Sequence, residues 1–246
     1  MAFETLHHMK TIKRGKEGFM AMKLDMSKAY DRVEWLFLEQ LMLKMGFHAK
    51  WVGLVMETVK TVSYSILING EPHGKIQPTR GIRQGDPLSP YLFLICSEGL
   101  NGLIKKIVAS GELRGFSLCK NGPQISHLFF ADDSLIFCRV KMGDVKALQT
   151  ILSQYELASG QKINSLKATL FFGKSVSNDT KLALKNSLGV PEIKEYEKYL
   201  GLPAMVRRKK KESLNYIKER IWGKLQGWKV KLLSQAGREV LLKAIV

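Results

Sequence analysis

Two adjacent carboxylates, Asp132 and Asp133, interrupt an apolar stretch that runs from Ile125 to Phe130 and resumes at Ser134-Leu135-Ile136-Phe137. Residues 128–130 and 135–137 read as two short, largely buried strands, with the acidic pair at the bend between them. Paired carboxylates repel each other and are costly to desolvate unless positive charge lies beside them; a divalent metal is the usual source. Aspartate also favours tight turns on its own account. The segment therefore fits a metal site and an ordinary hairpin about equally well.

A second acidic residue stands about a hundred positions earlier. Met20, Met22 and Leu24 alternate with Ala21 and Lys23, which suits a short strand, and Asp25 falls at its end. A carboxylate at the C-terminal end of a strand can project into a site. The bland alternative is a strand-to-helix turn, since Ser27 has the character of a helix cap for the segment through Trp35. A third element, Arg80-Gly81-Ile82-Arg83-Gln84-Gly85-Asp86-Pro87-Leu88-Ser89-Pro90, is an irregular loop whose backbone can approach a ligand closely. Arg80 and Arg83 bring positive charge suited to phosphate.

The elements that must position these residues can be read coarsely. Residues 1–17 read as a helix tail, 19–25 as a strand, 31–45 as a helix closed by Gly46, and 50–60 as a helix with Trp51, Leu54, Val55 and Val59 on one face. Tyr64–Ile68 and the segment to Ile76 form a hairpin around Asn69-Gly70. A helix is expected over 89–109, with Pro90 in its first turn and Gly111 after its end. Another spans 143–159, with Val145, Leu148, Ile151, Leu152 and Tyr155 apolar, and a strand covers 168–172. Beyond 205 the chain becomes rich in Lys and Arg, with Leu214, Ile217, Ile221, Trp222 and Leu225 at helical spacing and Trp222 and Trp228 as core candidates.

Taken in order, these motifs resemble the palm of reverse transcriptases, most closely the LINE class of non-LTR retrotransposons and its plant copies. Lys23-Leu24-Asp25-Met26-Ser27-Lys28-Ala29-Tyr30-Asp31 is similar to the family's first catalytic motif, and Arg83 to Pro90 to its template-and-nucleotide loop. Phe130-Ala131-Asp132-Asp133 is similar to its metal-binding box, with Phe where many relatives have Tyr. Ser159-Gly160-Gln161-Lys162-Ile163-Asn164-Ser165-Leu166-Lys167 resembles the next motif, and Tyr199-Leu200-Gly201-Leu202-Pro203 the hairpin leading to the thumb. The wording of the Arg80–Pro90 loop suits LINE elements better than group II intron maturases.

The resemblance implies an α+β fold: a right-hand polymerase palm of antiparallel sheet and packed helices, together with partial fingers, over 1–204, and a truncated basic helical start of a thumb over 205–246. It implies nucleotidyl transfer of deoxynucleotides onto a primer 3′-hydroxyl, copying an RNA template. Asp25 and Asp132, assisted by Asp133 and the Met26 carbonyl, would hold two Mg²⁺ ions, with Mn²⁺ able to substitute. Oxygen ligands without His or Cys favour such hard ions over zinc. Tyr30 matches the family's steric gate against a 2′-hydroxyl, although a packing role for its ring is the simpler alternative. Gln84 and Gly85 would lie over the incoming nucleotide, Arg83 would touch template or triphosphate, and Lys167 matches a lysine that protonates the leaving pyrophosphate. The implied partners are RNA template, DNA primer and deoxynucleoside triphosphates, and the implied location is the nucleus, with a cytoplasmic ribonucleoprotein stage.

Composition agrees with an anionic partner. The 246 residues carry 39 Lys+Arg against 22 Asp+Glu, a net charge of +17, and backbone phosphate rewards each basic contact by counterion release. Lys10, Lys13, Arg14 and Lys16 form one basic cluster, and Arg207–Lys211 a run of five. Three scattered cysteines give neither a disulfide frame nor zinc spacing, so reduced intracellular thiols are expected. The five histidines read as structural or surface residues, and neither a signal peptide nor a membrane span is evident. Only 24 residues precede Asp25, where the family carries further fingers motifs, so a truncated copy is expected. The competing expectation is a non-catalytic nucleic-acid-binding remnant of the same fold.

Overall fold

A computed structural model of the chain describes residues 2–11, 18–119 and 122–192, together with 198–199, 202–203, 215, 218–223, 226, 234 and 239. The chain divides into two units, Met1–Lys194 and Glu195–Val246. In the first unit, α1 (Ala2–Thr11) leads to β1 (Phe19–Leu24) and the short β2 (Met26–Ser27). Then come α2 (Trp35–Lys44), α3 (Ala49–Lys60), β3 (Tyr64–Ile68), β4 (Glu71–Ile76) and α4 (Ser89–Ala109). The short pair β5 (Phe116–Ser117) and β6 (Gln124–Ile125) precedes β7 (His127–Phe130), β8 (Asp133–Arg139) and α5 (Met142–Ser159). Next are β9 (Lys162–Ile163), β10 (Thr169–Phe172) and α6 (Asn178–Leu188).

The centre is a four-stranded antiparallel sheet in the order β10-β1-β8-β7. Its inner strand β1 is buried on both faces, which is why Ala21 is as inaccessible as Met20 and Met22. Met20, Met22, Leu24, Ile136, Cys138, Leu170 and Phe172 join the main core with Leu92, Leu100, Leu148 and Ile151 from the helices. On the other face α1 lies against β10, and Phe116 meets Phe19 edge-on at 5.3 Å. Each Leu or Ile so buried contributes roughly 1.5–3 kcal/mol, so the sheet's position is set by apolar packing long before any polar group matters.

Several expectations hold and others shift. α4 has the expected bounds, and the apolar stripe of α5, Val145, Leu148, Ile151, Leu152 and Tyr155, is fully buried. The β3–β4 hairpin turns at Asn69 (φ 53°) and Gly70 (φ 89°), the two left-handed residues that a tight hairpin needs. α2, however, begins at Trp35 rather than near 31. Ser27 belongs to β2, where it pairs with Lys162, and caps nothing. Residues 28–34 instead form a turn that enters left-handed space at Lys28 (φ 52°). On α3 the buried face is Val52, Val55, Met56 and Val59, while Trp51 and Leu54 are 41% and 69% exposed. Trp51 stacks on Phe47 instead (4.8 Å).

In the second unit β11 (Lys198–Tyr199) pairs with β12 (Leu202–Pro203), at the hairpin expected there. Trp222, expected in a core, is 55% exposed. Lys13, Arg14, Lys16, the run Arg207–Lys211 and Trp228 lie outside the described residues. All three cysteines are free thiols, and burial pushes that of Cys96 up to about 12. Among the described residues no helix is long and apolar enough to cross a membrane.

The turn at 28–34 is held from outside. Gly81 N–H donates to Val33 O (2.7 Å), Ile82 N–H to Tyr30 O (2.9 Å) and Glu34 N–H to Ser159 O (2.9 Å). Gly81 has φ +91°, and a Cβ there would sit 2.8 Å from Asp31 O. Gly81→Ala is expected to cost about 2 kcal/mol and lower the melting temperature by roughly 4–8 °C in a thermal melt. A melt within a degree of wild type would refute this clamp.

His127, on β7, is half-buried against Phe129 (4.7 Å) and bonded to Ser126 Oγ (2.9 Å). Burial first, then Lys105, lowers its pKa from 6.5, against an opposing pull from Glu98. The unfolded chain therefore takes this proton at higher pH than the folded one, and stability falls as pH drops below about 6.5 toward the depressed value. Melting temperatures measured between about pH 7 and pH 5.5 should fall less steeply in His127→Gln than in wild type.

Candidate active site

The register of the central sheet brings two of the expected residues level. β1 pairs with β8 from Phe19↔Arg139 to Leu24↔Ser134, so one further step sets Asp25 opposite Asp133. Opposed residues of an antiparallel pair share a face, with Cβ atoms about 4.5–5.5 Å apart. Two like charges at that spacing need a cation. Here Lys23, two residues before Asp25 and on the same face by alternation, has its Nζ 3.1 Å from Asp133 Oδ1. On its other side β1 pairs with β10 from Met20↔Phe172 to Lys23↔Thr169; beyond that pair the chain leaves the ladder in a turn, and it is Asn164 that bonds to Asp25 O. Lys167 is exposed, in a turn where its N–H donates to Asn164 O (3.1 Å).

Asp132 lies on the bend, as expected. Phe130↔Asp133 is the last pair of β7 and β8, so the connection is Ala131-Asp132 alone. Ala131 has φ 50°, a left-handed conformation that costs a non-glycine residue roughly 1–2 kcal/mol. That strain turns the exposed Asp132 outward and keeps Asp133 in the ladder. The two carboxylates therefore have different surroundings despite being adjacent.

Met26 stands just beyond Asp25. Asn164 N–H donates to Asp25 O (2.8 Å), a bond that brackets the Met26↔Ile163 pair of β2 and β9. That pair is thus of the type whose own N–H and C=O groups turn away from each other. The Met26 carbonyl is not consumed by β9 and remains a possible oxygen donor beside Asp25.

Tyr30 is fixed by packing and by its backbone. Its ring stacks on Phe93 of α4 (5.0 Å, 15°). Burial and then the charge of Asp132 raise its phenol pKa above 10.0, so the two side chains feel each other across the site. Preceding it, Ala29 O accepts from Gln161 Nε2 (2.9 Å), and Gln161 Oε1 in turn accepts from the buried Tyr155 hydroxyl. Gly160 ends α5 in left-handed conformation (φ +74°), and a Cβ there would lie 2.5 Å from Arg32 O. Arg83, Gln84 and Gly85 are exposed on the loop that follows the Ile82–Tyr30 bond. Asp86 Oδ1 accepts from Leu88 N–H (2.8 Å) and closes that loop onto α4.

Hard oxygen donors with no His or Cys among them suit Mg²⁺. As they stand, however, no three His, Cys, Asp or Glu side chains among the described residues are arranged to hold a metal ion. The side chains of the three expected carboxylates do not gather on a common point among the described residues. Asp133 is turned onto Lys23, and Asp132 projects from the bend. Thr169 Oγ1, opposite Lys23, is one of three buried side-chain polar atoms without a hydrogen-bond partner among the described residues, with Arg32 Nε and Asn101 Oδ1. Sequence reasoning gave no role to Lys23, Thr169 or Gln161. Strand alternation could have paired Lys23 with Asp25; the bond from Gln161 to Ala29 spans 132 residues and has no local signal.

The family model for reverse transcriptase (RNA-dependent DNA polymerase) matches residues 1–216. An uncharacterized mitochondrial protein of Arabidopsis thaliana is 53% identical over 68 residues, covering 28% of this chain and 56% of that protein. The retrovirus-related Pol polyprotein from the type-1 retrotransposable element R2 of Popillia japonica is 28% identical over 177 residues, covering 69% of this chain and 28% of the polyprotein. Among solved structures, Candida tropicalis telomerase in complex with a fragment of telomeric RNA aligns with 81% of this chain and 30% of its own. Its TM-score is 0.54 at 13% identity, a likeness of fold. The chain spans only about half of the plant relative and less than a third of the other two. With the family model extending over all of the segments described above, the chain belongs to the reverse transcriptase (RNA-dependent DNA polymerase) family.

Proposed function

We propose that this chain carries the palm of an RNA-directed DNA polymerase that adds deoxynucleotides to a DNA primer on an RNA template. The observation that carries this reading is the register that sets Asp25 level with Asp133, with Asp132 on the adjoining bend. In the reaction the primer 3′-hydroxyl attacks the α-phosphate of a deoxynucleoside triphosphate and pyrophosphate leaves. Asp25, Asp132 and Asp133, with the Met26 carbonyl, would hold two Mg²⁺ ions. Bound there, the ions supply a lowered hydroxyl pKa and neutralise charge on the attacking and leaving oxygens.

The remaining work falls to the chain's own groups. Tyr30, braced by Phe93, fills the space a ribose 2′-hydroxyl would need. Gln84 and Gly85 line the incoming nucleotide, and Arg83 meets the phosphates of template or triphosphate. Lys167, exposed on the turn before β10, donates the proton that leaves with pyrophosphate. Residues 205–246 begin the thumb, and the nucleus is the site of action, with a cytoplasmic ribonucleoprotein stage. A non-catalytic nucleic-acid-binding role is the second reading, and the Lys23 contact on Asp133 is what favours it.

Extension of a DNA primer on an RNA template, with Mg²⁺ and deoxynucleotides, separates the two. Asp132→Asn should reduce extension at least about a hundredfold while leaving the melting transition in place, because the side chain is exposed. Steeply salt-dependent binding without extension in the wild-type chain would select the second reading. Tyr30→Ala should raise ribonucleotide incorporation relative to deoxynucleotide; unchanged sugar selectivity would remove the gate role.

A further inference from the structure

Lys23 is the only cation whose contact with a site carboxylate the described residues display, and its surroundings offer it a second place. Directly opposite it on β10 stands Thr169, 5% exposed, whose Oγ1 has no partner. A buried hydroxyl without a partner is costly, and an ammonium group is a triple donor that a hydroxyl oxygen can accept from. Opposed residues on neighbouring strands have Cβ atoms about 5 Å apart, well within the reach of a lysine stem. Lys23 thus sits between an acceptor it occupies, Asp133 Oδ1 at 3.1 Å, and one that is vacant.

We propose that Lys23 is a two-position counter-ion for the carboxylate pair. Without a divalent ion its ammonium rests on Asp133 and relieves the repulsion between Asp133 and Asp25. When a divalent ion takes Asp133, the ammonium is repelled and moves across β1 onto Thr169 Oγ1. Lys23 is therefore a positioning residue: it holds the Asp133 carboxylate in place, and it competes with the ion for the same oxygen. The proposal rests on the metal-binding reading given above and adds the residues that govern ion affinity.

The test is Mn²⁺ titration of the full chain, followed by electron paramagnetic resonance, with thermal melts in the absence and presence of the ion. Lys23→Met should bind Mn²⁺ about fivefold more tightly, as removal of a partly exposed ion pair predicts, and should melt lower without the ion but regain the loss when Mn²⁺ is added. Thr169→Val keeps the shape and removes the orphan hydroxyl. It should melt higher without the ion and bind Mn²⁺ about two- to threefold more weakly. Equal or weaker binding by Lys23→Met overturns the competition, and unchanged affinity in Thr169→Val overturns the second position. If wild type shows no saturable Mn²⁺ site that Asp133→Asn abolishes, the metal reading and this proposal fall together. Saturable binding in wild type with both variants unchanged overturns this proposal alone.

Discussion

The structure turns on two like charges held level at the ends of neighbouring strands. Antiparallel pairing fixes which residues oppose one another, and once Leu24 faces Ser134 the next step must oppose Asp25 and Asp133. Slipping the register by one residue would relieve the repulsion. It would also turn Met20, Met22 and Leu24 out of the main core, at a cost of several kcal/mol. Apolar burial therefore sets the position of the charges, and the charges must find a cation where they are.

A second constraint shapes the opposite wall. The 28–34 turn, which presents Tyr30, makes few bonds of its own and takes its shape from Gly81, Ile82, Gln161 and Ser159. These residues belong to two segments widely separated in sequence, one leading into α4 and one leaving α5. Trp35 adds a bond from its Nε1 to Gly81 O (2.7 Å). Tyr30 is thus positioned by main-chain contacts that only glycine at 81 and 160 permits, so its ring's place is set by backbone geometry.

This division explains what could be read from the sequence. β1, α4 and α5 were legible because long apolar periodicity and clear stops mark them, as with Gly160 after α5. The start of α2 was not, because Ser27 has cap chemistry but is claimed by the β9 pairing. α3 misled for a related reason: Trp51 and Leu54 look like core residues, and only tertiary packing decides that Val52 and Met56 face inward. α6 went unread since Leu184 alone among its residues is fully buried, leaving almost no periodic signal. For the candidate site, motif order singles out Asp25, Asp132, Asp133, Tyr30 and Lys167, whereas the Lys23–Asp133 contact and the buried bond to Ala29 O depend on register and on contacts far apart in the chain.

The same register argument separates what is rigid in this site from what is adjustable. Leu24 and Ser134, one step below the carboxylates, are buried, so the Cα positions of Asp25 and Asp133 inherit the order of the core. Lys23 and Asp133 are 21% and 28% exposed, and their side chains retain room to rotate. Ala131, at φ 50°, is strained where the core no longer constrains the chain, which is affordable because the ladder beneath it is complete. The backbone of this acidic pair is fixed, while its charged side chains keep freedom to change partners.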